Sequence, residues 1–317
     1  MSGIVFVVLD DVGSSEQPQR LVTDGIHWGP GSRFIVTSKD KQVLFAGGVH
    51  AIHEVKELSP KESLKLFSLN GFQKSHPEKG GEELSKRAVG YATGLPLALK
   101  AVGSSLCSRD RGIWESTLRK LERYPDPQIQ DVLKTSYDGL DDVLRDLFLD
   151  IAFFYKGEDK DHVIRLLDAS NLFAAYGIEG LLDRALISIS NDKVIQMHDL
   201  IQEMGWEIVR QECKENPRKC SRLKDFEEVY DVLKNNKGIK GIVLYASLFK
   251  DVQLNVDTFK NMTNLRVVKF YSPWHVRSYN KHHLTSFESF SDESGSLEWN
   301  GYPYKSLPLN FYPEKLV

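Results

Sequence analysis

The feature that most constrains this 317-residue chain is the run Ile4-Val-Phe-Val-Val-Leu9, which stops at once on Asp10-Asp11. Six consecutive apolar residues leave no alternating polar face. Such a run suits a strand covered on both sides, as strands of a parallel sheet are. It is too short for a membrane helix and lacks the charged start and cleavage site of a secretion signal. No other stretch approaches the roughly 18 apolar residues that a span needs.

Further strands and helices follow from the same patterning. Gly29-Pro-Gly31 marks a turn, Ser32-Arg-Phe-Ile-Val-Thr37 reads as a second buried strand, and Ala51-Ile-His-Glu-Val55 as a third. Ser59, Pro60 and Glu62 carry a helix-start signature of cap, first-turn proline and acid. Strands alternating with helical segments imply an α/β layer. From about 59 to 235 the helical period dominates. Leu64, Phe67 and Leu69 share one helix, and Leu84, Ala88 and Tyr91 the next. Gly94-Leu95-Pro96 breaks the chain before Leu97–Leu106. Val132, Leu133, Tyr137, Leu140, Leu144, Leu147, Phe148 and Ile151 form the apolar face of a further pair. Leu181, Leu182, Ala185 and Leu186 close another helix. Ile187–Met197 has the pattern of a small hairpin turning at Asn191-Asp192. A helix opens at His198-Asp199, with Leu200, Ile201, Met204, Ile208 and Val209 inward. Helices, a hairpin and a further helix describe a winged-helix unit. Beyond Lys237, Leu265-x-x-Val268-x-Phe270 fits the apolar skeleton of a leucine-rich repeat strand. Leu297-Glu-Trp299 and Leu307-Pro308 suggest a second unit, and residues 272–294 an irregular insertion.

Charge and reactive residues exclude several functions. The net charge of −3 advertises no nucleic-acid or membrane surface. The segment Asp199–Gln211 carries Glu203 and Glu207 against Arg210 alone, poor for phosphate contact by a DNA-binding winged helix. Cys107, Cys213 and Cys220 have neither metal-finger nor redox spacing, so reduced cysteines in an intracellular setting are expected. His275, His282 and His283 are irregularly spaced in polar sequence and read as a solvated loop, not a zinc site. No G-x-S-x-G elbow supports a serine nucleophile.

Several segments together resemble the nucleotide-binding module of plant disease-resistance receptors of the Toll/interleukin-receptor-headed class. Val7-Val-Leu-Asp-Asp-Val12 resembles the family's Walker B strand, and Gly29–Asp40 its sensor strand. Gly94-Leu-Pro-Leu-Ala-Leu-Lys100 resembles its Gly-Leu-Pro-Leu motif. Phe148-Leu-Asp-Ile-Ala-Phe-Phe154 resembles a core helix, Met197-His198-Asp199 the Met-His-Asp motif, and Leu297–Val317 the early repeats. Six motifs in order make the resemblance specific along nearly the whole chain. It implies an α/β partial P-loop-type parallel sheet (1–58), an α-helical bundle (59–125), a winged-helix domain (126–236) and the start of leucine-rich repeats (237–317).

The resemblance also implies roles and departures. Asp10 and Asp11 would hold Mg²⁺ and orient an attacking water; the plainer reading is two acids solvating a strand end. Lys39 would face a γ-phosphate, where the family carries arginine, so a planar fork becomes a point charge. Gly94, Leu95 and Pro96 would line an adenine pocket, or simply start a helix. His198 would donate to a β-phosphate, with Met197 and Asp199 completing the switch motif. The dipeptide Gly-Lys occurs nowhere in the sequence, so the phosphate loop G-x-x-x-x-G-K-[ST] is absent, and the expected chain is an N-terminally truncated fragment. Its ADP/ATP and Mg²⁺ binding is therefore expected to be weak or lost. The expected function is an ADP/ATP-dependent switch in defence signalling rather than a turnover enzyme. A residual ATPase and a pure protein-interaction module are the alternatives. Expected partners are other immune receptors or pathogen effector-linked proteins, with no nucleic acid, in the cytoplasm or nucleus.

Overall fold

The computed structural model describes residues 3–23, 28–168, 172–215, 220–224, 238–245, 262, 264–271 and 296–299. The readings at Leu307-Pro308 and at His275, His282 and His283 lie outside the described residues. Among the described residues no helix is long and apolar enough to cross a membrane. The chain forms two compact units. One comprises Met1–Leu140, Glu179–Ile187 and His198–Leu200; the other comprises Asp141–Ile178, Ser188–Met197 and Ile201–Val317.

In the first unit, β1 (Phe6–Leu9) pairs in parallel with β2 (Arg33–Val36), Phe6 opposite Arg33 and Leu9 opposite Val36. Helix α1 (Glu16–Thr23) lies between them in sequence, and α2 (Lys41–Ala46) follows. The parallel pairing agrees with the apolar run, but its expected burial does not: Phe6 is 67% exposed and Val8 53%. Each of these strands pairs only with the other among the described residues, so neither gains a second neighbour. The third expected strand is absent. Ala51–Val55 has no ladder pairing and Val55 is 86% exposed.

Helices α3 (Pro60–Gly71), α4 (Glu82–Ala92), α5 (Pro96–Leu106), α6 (Arg111–Leu121) and α7 (Pro127–Asp138) complete the bundle. Helix α3 starts as the sequence dictates. The Ser59 N–H donates to Glu62 Oε2 at 3.0 Å and the Glu62 N–H to Ser59 Oγ at 3.4 Å, a reciprocal cap. Asp110 and Asp126 cap α6 and α7. Phe67, Ala88, Leu99, Val102, Leu106, Trp114 and Ile129 form the core. Leu69 and Val132, assigned to apolar faces by periodicity, are about half exposed instead.

The second unit opens on α8 (Asp142–Asp150), which runs into a π-helical turn, Ile151–Tyr155. Along the chain then come α9 (Lys160–Asp168), α10 (Ala174–Asp183), the antiparallel pair β3 (Ser188–Ile189) and β4 (Ile195–Gln196), and α11 (Asp199–Glu215), the end of α10 and the start of α11 being assigned to the first unit. This is the winged-helix order expected. The widened turn has a tertiary cause: Gln202 Nε2 and Trp206 Nε1 both donate to the Ala152 carbonyl, at 2.8 and 3.1 Å. Gly205 permits that approach, because a Cβ there would lie 2.8 Å from the Ala152 Cβ.

A parallel sheet follows, in the order β5 (Arg222–Leu223), β6 (Gly241–Tyr245), β7 (Val267–Tyr271), β8 (Ser296–Trp299). Leu265 and Val268 are fully buried. Adjacent parallel strands in chain order are compatible with the start of a repeat array. Cys213 and Cys220 form a disulfide with Cα atoms 4.5 Å apart, which corrects the expectation of three reduced cysteines. Their seven-residue separation has neither metal-finger nor redox spacing, so the sequence does not mark the pair.

Candidate functional site

The residues singled out by sequence fall into two groups in the first unit. The first is built at the carboxyl ends of β1 and β2. The Thr37 N–H donates to the Leu9 carbonyl at 2.9 Å and the Val12 N–H to the Thr37 carbonyl at 2.8 Å, extending the ladder past both strands. The Thr37 hydroxyl donates to Asp10 Oδ1 at 2.5 Å and accepts the Asp11 N–H at 2.9 Å. Asp11 adopts φ 54°, a left-handed conformation that acidic residues tolerate better than most. Lys39 Nζ lies 3.9 Å from Asp11 Oδ1 and 3.3 Å from the Thr135 hydroxyl. All three charged side chains face solvent, so this pair is weak by itself and open to a ligand.

The chemistry of this donor set fits part of a magnesium site. Mg²⁺ takes one or two carboxylates from a protein and completes its octahedron with water and phosphate oxygens. Asp10 and Asp11 would supply that share, and no cluster of three or more metal-ligating residues occurs among the described residues.

The second group is built at the turn between α4 and α5. Thr93 (φ 42°) and Gly94 (φ 87°) are successive left-handed residues. Gly94 is buried, and a Cβ there would lie 2.8 Å from the Leu58 carbonyl oxygen. That space is used by the Leu58 N–H, which donates to the Gly94 carbonyl at 3.0 Å. Leu95 is half-buried and Pro96 is exposed at the first turn of α5, where its missing N–H costs nothing. His198 meets this turn. Its Nδ1 accepts the Leu200 N–H at 3.1 Å, which leaves the proton of a neutral ring on Nε2. Nε2 lies 2.9 Å from the Thr93 hydroxyl and 3.1 Å from the Thr93 carbonyl. Met197 is buried and Asp199 is exposed at the start of α11.

The structure thus brings Asp10, Asp11 and Lys39 together, and separately His198 with Gly94, Leu95 and Pro96. Among the described residues no hydrogen bond or ion pair joins the two groups. Sequence reasoning missed the threonines that organise both: Thr37 orders the acid pair, and Thr93 receives the histidine. Thr37 was legible as the last residue of a β-branched strand; nothing local marks Thr93 except the glycine after it. The Asp40 carboxylate, which caps α2, also lies 3.5 Å from Arg184, a long-range pair that no spacing reveals.

Comparison with known proteins adds relatives. Residues 142–213 match the winged-helix domain of Roq1-like disease resistance proteins. Disease resistance protein RUN1 of Vitis rotundifolia is 42% identical over 100% of this chain and 26% of its own length. Disease resistance protein RPV1 of the same species is 41% identical, with 24% of its length covered. TMV resistance protein N of Nicotiana glutinosa is 35% identical over 99% of this chain and 27% of its own length. The chain spans about a quarter of the length of these relatives.

Proposed function

We propose, from the premise that this chain belongs to the plant disease resistance proteins, that it carries much of the ADP/ATP-dependent switch of an intracellular immune receptor. The observation that carries this reading is the seat of His198. Its Nε2 sits on Thr93, the residue before Gly94-Leu95-Pro96, so two motifs about a hundred residues apart in sequence meet at one turn. A nucleotide reaching that turn would compete with Thr93 for the Nε2 proton. A switch needs a ligand whose affinity differs between two states, and an exchangeable histidine bond supplies such a difference. Asp10, Asp11 and Lys39 would serve the other end of the ligand. The bound Mg²⁺–nucleotide would supply the concentrated negative charge that these residues answer.

The test uses a version of the chain carrying a phosphate loop. His198→Ala should weaken ADP binding by about tenfold, the loss of one charge-assisted hydrogen bond, and increase hydrodynamic size. Unchanged ADP affinity and unchanged size together would reduce His198 to a helix-start residue.

A second reading is favoured by one observation. Phe6, Val8 and Ile35 are all about half or more exposed on a two-stranded sheet, with Ile4 exposed just before it, a surface that invites pairing. An interaction module that joins another immune receptor would cover it. Co-purification with full-length receptors, lost on Phe6→Ser with Val8→Ser, distinguishes this reading from a switch acting alone.

A further inference from the structure

Three basic residues stand at the starts of the first three strands of the four-stranded sheet. Arg222 is the first residue of β5, and Lys240 and Arg266 immediately precede β6 and β7. Gly241 pairs with Val267, so Lys240 and Arg266 belong to one row. The Arg266 N–H donates to the Lys240 carbonyl at 2.9 Å, and the Lys240 N–H to the Ser221 carbonyl at 2.7 Å. The residue before β8 is Gly295, which carries no charge.

All three cations converge on one face of α8, where Asp146 and Asp150 are spaced one helical turn apart. Arg222 Nε donates to Asp150 Oδ1 at 2.8 Å, and its Nη2 to Asp146 Oδ1 at 3.0 Å and to the Asp146 carbonyl at 2.8 Å. Lys240 Nζ lies 2.7 Å from Asp146 Oδ1. Arg266 Nη2 reaches Asp150 Oδ2 at 2.6 Å and Asp146 Oδ2 at 3.1 Å. The Asp150 side chain is 0% exposed, that of Arg222 1% and that of Arg266 11%.

Buried ion pairs are poor stabilisers against well-packed apolar groups, because desolvation offsets their attraction; their best-attested use is to fix register. Here the geometry suits that use. An apolar face tolerates a slip of two strand residues, which returns the same side chains to the same side. The carboxylates do not, because a slip withdraws a donor from a particular oxygen and leaves a buried charge unpaired. Strand β5 makes the point most sharply. Two residues of ladder are too few to hold a strand by backbone bonds alone. Its position is set by the Arg222 ion pairs and by the Cys213–Cys220 disulfide two residues upstream.

We propose that Asp146 and Asp150 are the seat of this sheet, an electrostatic template on α8 that pins β5, β6 and β7 in register. On this reading the sheet forms only on a folded α8, whereas the helices do not need the sheet. The inference is independent of nucleotide binding.

Hydrogen exchange of the full 317-residue chain tests the dependence. With Asp146→Asn and Asp150→Asn combined, peptides covering 241–245 and 267–271 should exchange at least tenfold faster, while those covering 160–168 and 199–215 keep their parental rates. Parental rates in both strands would show that the carboxylates do not hold the sheet. An equal rise in strands and helices would make them ordinary stabilisers of the whole unit. Either result overturns the proposal. Should the double variant fail to fold, Lys240→Met decides, since that side chain is one-third exposed and its loss leaves Arg222 paired. It should speed exchange of 241–245 by about threefold or more with the helices unmoved. No change, or a parallel change in the helices, would count against the template.

Discussion

Gly94 shows how much a single missing methyl group can hold. Its φ of 87° is open to glycine and strained for other residues, and the Leu58 backbone occupies the space a Cβ would need. Gly94→Ala should therefore destabilise the first unit by about 2–3 kcal/mol, from strain and displacement together, read as a lowered urea midpoint. Asp146 makes the converse case, a charge kept where burial opposes it. Burial pushes its carboxyl up, but Arg222, Arg266 and Lys240 override that and hold it well below its ordinary value of 3.8. A depressed folded-state pKa contributes stability that is complete above the unfolded value and is lost as pH falls toward the folded one. The gap in stability between the parent and Asp146→Asn should be constant from pH 7 to about 5 and close progressively below about 4. A gap that narrowed between pH 7 and 6 would show that another group governs the cluster.

At the scale of elements, what water can reach decides which sequence signals came true. The cap at Ser59 is satisfied within a few residues, so α3 begins where its side chains say it should. The hairpin of β3 and β4 turns at Ser190–Lys193, as its polar turn residues imply. The β1 run behaves differently, because burial on both faces depends on neighbours that a six-residue string cannot specify. The same holds for Ala51–Val55 and for the π turn after α8: each depends on partners remote in sequence. The candidate site follows this division. Its acid pair and its Gly-Leu-Pro turn are local patterns, whereas the meeting of His198 with Thr93 is tertiary. Exchange should record the contrast. Amides of β1 and β2 should exchange on the order of a hundredfold faster than those of α5, whose Ala98, Leu99 and Val102 are fully buried. Equal protection would mean that the exposed apolar strands are covered in solution, which would favour the interaction-module reading.

On the proposed switch reading, the decisive quantity for the molecule as a whole is how much of a nucleotide site these residues would supply. Asp10, Asp11 and Lys39 lie together but in water, where ion contacts are weak. His198 and the Gly94–Pro96 turn add a donor and a backbone surface but no fixed positive charge. In sites of this kind a glycine-rich loop and its lysine provide most of the phosphate contacts, and the Gly-Lys pair that such a loop needs occurs nowhere in these 317 residues. The parts present should therefore select a nucleotide without holding it. Calorimetry of this chain with ADP and Mg²⁺ should give a dissociation constant in the range of about 0.1–1 mM, some 4–5.5 kcal/mol of binding. Joining a phosphate loop to the same residues should tighten it by on the order of a thousandfold, since each further 1.4 kcal/mol is tenfold and several charge-assisted bonds are added. His198→Ala should then weaken the extended chain measurably and the 317-residue chain hardly at all, because the histidine contributes to phosphate affinity only when the phosphate is fixed in place. Submicromolar ADP binding by the 317-residue chain would invert this argument: the acid pair and the histidine turn would themselves be the main anchors, and the loop an accessory.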